Sequence, residues 1–203
     1  MTTEETRIWA ARWLGDREVP PEFLRMSAIQ AAREKHDTEL KDIESARPAE
    51  LDGAGCADPL EYLGVTIIGP GNWKPDAPHQ AYSYFDEERN ADYPAMRGVL
   101  SHILPVAGVD WGLDLVYGYW LYPGEAWPPP VVLLDSEGSM EPDSRTLTDT
   151  LMSYAFKNFE EEAPLIGQWL TRIGIPVSAR SAADIPTPVI AKEPDALYME
   201  LDT

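Results

Sequence analysis

Apolar positions along this chain change their spacing twice. Between residues 4 and 14, Ile8, Trp9 and Trp13 recur at helical intervals, and Gly15-Asp16 ends the run. Val19-Pro20-Pro21 marks a turn. A second helix is expected from Glu22 to about Ser45 on a looser stripe of Phe23, Met26, Ile29, Ala32, Leu40 and Ile43. Residues 48–60 hold Gly53, Gly55 and Pro59 and read as loop. The spacing then shortens. Strands are predicted over Tyr62–Ile68, Ala81–Phe85, Arg97–Leu104, Leu113–Leu121 and Val131–Asp135, separated by Gly- and Pro-bearing turns.

Helical spacing returns at Thr146, a Thr suited to cap a helix carrying Leu147, Leu151, Tyr154 and Ala155 and continuing through Asn158 to Glu162. Pro164 starts another helix with Leu165, Ile166, Trp169, Leu170 and Ile173, and Gly174 fits its C-terminal cap. Helices, a run of strands and helices again predict an α+β fold, with a mostly antiparallel sheet flanked by N- and C-terminal helices. Residues 1–175 are expected to form one domain. Residues 176–203, with Pro186, Pro188 and Pro194, are expected to form a Pro-rich extended tail packed on it. Val189-Ile190 and Leu197-Tyr198-Met199 are edge-strand candidates there.

Charge narrows the function classes. The 203 residues carry a formal net charge of -19, and the excess lies in the body: residues 51–156 hold 16 acidic and 4 basic side chains. Such a field repels nucleic acid and anionic membrane and attracts basic partners. Cys56 is the only cysteine, so no intramolecular disulfide forms. Met1-Thr2-Thr3-Glu4-Glu5 lacks the basic start and apolar run of a signal peptide, and no apolar run has bilayer-spanning length. A cytoplasmic protein is expected.

Catalytic signatures are sparse. His36, His79 and His102 make no close metal-ligand spacing with one another or with Cys56. No Gly-x-Ser-x-Gly surrounds Ser101. Gly53-Ala54-Gly55 and Gly69-Pro70-Gly71 lack the Lys-Ser/Thr of a phosphate loop. No cofactor and no metal are predicted.

The acids near the strand ends remain. Asp110 and Asp114 flank Trp111-Gly112, and Asp135 and Glu137 follow the best strand. They have three readings: turn residues, a partner-binding face, or a carboxylate cluster for acid/base or divalent-cation chemistry. Tyr117, Tyr119, Trp120, Tyr122 and Trp127 crowd the same region. Strand alternation leaves two arrangements, with both ring sets buried or with one half exposed as interface material.

Ile103-Leu104-Pro105-Val106, the turn Asp110-Trp111-Gly112-Leu113-Asp114, the strand Pro130-Val131-Val132-Leu133-Leu134-Asp135 and the helix Leu147 to Phe156 succeed one another in an order that resembles the SUKH superfamily. That superfamily includes the yeast Smi/Knr cell-wall regulators and many bacterial immunity proteins. The resemblance spans residues 100–156. It implies a non-enzymatic immunity protein that neutralises a cognate toxin, often a nuclease or deaminase, inside the producing cell. Many nuclease toxins are basic because they hold phosphate, which suits an acidic partner. The expected partner is therefore another, basic protein, bound at a face built around Asp110, Trp111, Asp114, Glu125, Asp135 and Glu137. Two alternatives are a carboxylate- or metal-dependent hydrolase and a component of a phage or secretion assembly.

Overall fold

A computed structural model describes residues 2–51, 55–70, 93–109 and 115–203. The strand expected at Ala81–Phe85 lies outside them. Helix α1 (Thr3–Leu14) begins with a reciprocal cap. The Thr2 hydroxyl accepts from Glu5 N at 3.2 Å, and Glu5 Oε2 accepts from Thr2 N at 2.6 Å. The helix buries Thr6, Trp9, Ala10 and Leu14. Ile8, expected on that stripe, is 63% exposed. It sits about 100° around the axis from Trp9, off the buried face.

The single helix expected to Ser45 is two: α2 (Pro21–Lys35) and α3 (Thr38–Ser45). His36 turns left-handed at φ 53°, and Asp37 Oδ1 then caps α3 by accepting from Glu39 N and Leu40 N. A local capping signal outweighs the continuing apolar stripe. The same physics corrects the strand expected at Tyr62–Ile68. Asp58-Pro59 starts a short helix α4 (Pro59–Leu63), Gly64 closes it at φ 65°, and only Val65–Ile67 remains as strand β1. Buried Gln30 of α2 clamps this strand: its Nε2 donates to Ile67 O at 2.9 Å and its Oε1 accepts from Ile67 N at 2.6 Å.

The strand expected at Arg97–Leu104 is also corrected. Pro94–Leu100 is helix α5, with Pro94 in its first turn, and strand β2 runs Ile103–Val109. Strands β3 (Leu115–Trp120), β4 (Val131–Leu134) and β5 (Met140–Ser144) come next. All pairings are antiparallel, in the order β1-β2-β3-β4-β5. Pro105 cannot donate to a ladder, and the β2–β3 register shifts between Pro105 and Ala107. The chain is thus α+β, its five-stranded antiparallel sheet flanked by N- and C-terminal helices.

Every residue of β2 is buried, so this sheet is covered on both faces. On one face Tyr119 lies edge-on to Phe23 of α2 at 6.2 Å and donates its hydroxyl to Glu22 Oε1 at 3.2 Å. On the other, fully buried Trp120 donates Nε1 to Lys192 O at 2.9 Å. Helix α6 (Leu147–Asn158) is capped by Thr146, which accepts from Asp149 N at 3.0 Å. Helix α7 (Ala163–Arg172) buries Trp169, whose Nε1 donates to Ile43 O at 2.8 Å. After Gly174 the chain carries a single 3-10 turn, Ala182–Asp184, and ends in helix α8 (Pro194–Leu201). Neither edge strand expected in the tail forms. Val189 is 94% exposed, and Leu197-Tyr198-Met199 is helical because Pro194 opens a helix that packs on α5 and β5.

Candidate functional site

The sheet has two ends, and they carry different chemistry. Val65, Val109, Leu115 and Leu134 mark one end through their pairings. The β4–β5 turn projects from it. Asp135 Oδ1 accepts from Glu137 N and Ser139 N, each at 2.9 Å, and Gly138 takes φ 86°. Asp135 therefore shapes the turn, as its residue type predicts. Glu137 is left exposed at the tip, and Glu141 is exposed on β5 beside it. Sequence reasoning missed Glu141 because β5 was not foreseen. The hairpin signal was available in Asp135-Ser136-Glu137-Gly138 with Met140 to Ser144 after it.

Glu125 does not join this group. It lies in the β3–β4 connection at the opposite end of the sheet, with β4, roughly 13 Å of extended chain, between. Its Oε1 accepts from Ala191 N at 2.6 Å, so it anchors the tail. Asp110, Trp111 and Asp114 lie outside the described residues. Their flanks, Val109 and Leu115, stand at the Asp135 end.

The rings of β3 are interior. Tyr117, Tyr119 and Trp120 are at most 5% exposed, so both faces of this strand are buried. His102 and Tyr122 pack around Trp120, with Tyr122 stacked on it at 5.8 Å. Trp127 is partly exposed, but the Arg17 guanidinium lies 5.5 Å over its ring, away from the acidic end.

Buried polar groups lie elsewhere and do structural work. Asp58 is fully buried. Its Oδ1 accepts from Leu60 N and Glu61 N, and Oδ2 faces Arg33 Nη1 at 3.3 Å. Burial raises its pKa despite Arg33 and the two N–H donors. Asp143 of β5 is also raised, chiefly by burial, with the Ser144 and Thr150 hydroxyls acting in the other direction. Burial pushes the Cys56 thiol up, with help from Glu61 and Asp58, so it is a poor nucleophile. Burial among the rings lowers His102. Among the described residues no cluster of three or more His, Cys, Asp or Glu is arranged to hold a metal ion. No helix among them is long and apolar enough to cross a membrane.

Some of the positive charge is engaged internally. Arg25 pairs with Glu39 and donates Nε to Ile173 O, Arg33 meets Asp58, and Lys192 pairs with Glu200. The acids, Asp58 apart, stay partly or fully exposed among the described residues, so the net charge of -19 is expressed at the surface.

Comparisons with protein families, with curated proteins and with solved structures each find no match for this chain.

Proposed function

We propose that this chain is a non-enzymatic, cytoplasmic protein-binding module of the immunity type, which captures a basic partner at the acidic end of its sheet. One observation carries the reading. A turn fixed by Asp135 presents the carboxylates of Glu137 and Glu141 on the β4–β5 hairpin, beside the strand ends that flank Asp110, Trp111 and Asp114. A preorganised group of like charges steers an oppositely charged partner and raises its association rate. The interface uses the end of the sheet, because both sheet faces are filled by the chain itself. The toxin-neutralising role rests on the resemblance of residues 100–156 to the SUKH superfamily.

The test is affinity capture at low salt, then association kinetics with the captured protein and with a Glu137→Lys/Glu141→Lys variant. The partner is expected to be basic, and charge reversal to slow association about tenfold or more at low salt. Protection of cells from that partner's toxicity should fall in parallel. A partner whose association ignores both salt and charge reversal would remove this surface from consideration. Capture of no protein at all would remove the binding-module reading.

A further inference from the structure

An open cavity of about 560 Å³ lies between α7 and the segment after it, within the range of small-molecule sites. Its floor is apolar. Met152 of α6 and Val177 meet across Gly167 of α7. A Cβ on Gly167 would stand 3.3 Å from Met152 Cε and 3.5 Å from Val177 Cγ1, so the bare backbone lets these two apolar side chains close against the helix.

The mouth is cationic. Gln168 and Arg172 lie one turn apart on the exposed side of α7, and Arg180 faces them from the next segment. Arg172 donates one Nη1 to Ala46 O at 3.2 Å, which leaves the rest of its fork. Neither arginine takes part in an ion pair among the described residues. Asp184 senses the charge of Arg180, but its Oδ2 accepts from Arg180 N, Ser181 N and the Ser181 hydroxyl. Its hydrogen bonds go to that backbone and to Ser181, and none goes to the guanidinium. In a chain whose other arginines include Arg25 and Arg33 paired to acids, Arg172 and Arg180, neither in an ion pair among the described residues, form an anion-accepting rim beside an apolar hollow.

We propose that this cavity binds a small carboxylic acid, its carboxylate held by Arg172 and Arg180 and its apolar body laid on Met152, Gly167 and Val177. Guanidinium forks match carboxylates two bonds at a time. The chain's net charge favours a monoanion, since the long-range repulsion on a phosphate dianion is twice as large. The cavity shares no residue with the acidic sheet end, so the two sites stand or fall separately.

Calorimetric or NMR titration with octanoate, octanol and octyl phosphate tests this. Octanoate should saturate in the millimolar range or tighter, roughly -4 kcal/mol or stronger, with octanol at least about tenfold weaker. Arg172→Gln and Arg180→Gln replace exposed side chains and should keep the fold. Each should weaken octanoate about tenfold, as loss of a charge-assisted bond does, and leave octanol unchanged. Absence of saturable octanoate binding overturns the site. Equal binding of octanol, or octanoate binding unaffected in both variants, overturns the role of the arginines. Tighter binding of octyl phosphate overturns the monoanion assignment.

Discussion

Replacing Asp58 measures what a fully buried carboxylate does in so acidic a chain. Oδ1 takes two backbone N–H groups at 2.9 Å and so caps α4, while Oδ2 stands 3.3 Å from Arg33, which is 21% exposed. Asp58→Ala removes the cap, about 1 kcal/mol, and leaves Arg33 without its counter-ion. Loss of one partner from a buried pair costs about 3–5 kcal/mol. Arg33 reaches some water, which brings the pair's share down to about 2 kcal/mol and the expected loss to about 3 kcal/mol with the cap included. Asp58→Asn keeps the Oδ1 acceptor and so the cap, but it also leaves Arg33 without its counter-ion, so it should cost about 2 kcal/mol. For a chain of this size those losses correspond to roughly 6–12 °C and 4–8 °C in Tm. Urea unfolding at pH 7, monitored by circular dichroism, should show lower midpoints with an unchanged slope. An alanine variant within about 1 kcal/mol of the parent, or an asparagine variant worse than alanine, would refute the account of Asp58 as a cap and counter-ion together.

Three further outcomes are expected. Asp143 is raised above its ordinary 3.8, chiefly by burial, and its Oδ2 is buried without a hydrogen-bond partner. The folded state therefore holds this proton more tightly than the unfolded chain. That contribution is present below pH 3.8 and is lost as pH rises through the folded value. Asp143→Asn should remove the decline and be the more stable protein at pH 7, which stability curves from pH 3 to 7 would check. Trp120→Phe deletes the bond to Lys192 O, about 1 kcal/mol. It should speed protease cleavage between residues 176 and 193, and an unchanged cleavage rate would deny that this bond pins the tail. A Cβ on Gly98 would lie 2.5 Å from Leu201 Cδ1, but Leu201 is 46% exposed and can turn aside, so Gly98→Ala should destabilise by no more than about 1 kcal/mol. Leu201→Ala in the same chain should restore part of that loss, and additive losses in the double variant would argue against the contact.

Strand β4 and helix α6 were legible in the sequence because their signals are local. Val131 to Leu134 is an apolar run closed by an Asp-Ser-Glu-Gly turn, and Thr146 caps the helix that starts at Leu147. The α+β class came from the order of such segments. Where two local signals competed, the tertiary structure chose between them: Asp37 capped a new helix inside the stripe read as one, and Asp58-Pro59 turned Tyr62 and Leu63 helical. Strand β5 and helix α8 were missed for another reason. Glu141 and Pro142 sit in an edge strand, and α8 is held against α5 and β5 with Pro194 and Leu197 buried, its end at Leu201 lying by Gly98, 103 positions away in the chain. Such segments are set by the surfaces they cover, which no short window of sequence contains.

The acidic site divides in the same way. The sequence by itself determined the surplus of carboxylates and the turn chemistry of Asp135, because charge and turn preference belong to single residues and their neighbours. Only the tertiary structure decided that Glu137 and Glu141 share one end of the sheet while Glu125 holds the tail at the other. It also decided that Tyr117 and Trp120 are interior on opposite faces. Strand pairing and the packing of distant helices set those positions, and both arise between segments rather than within them.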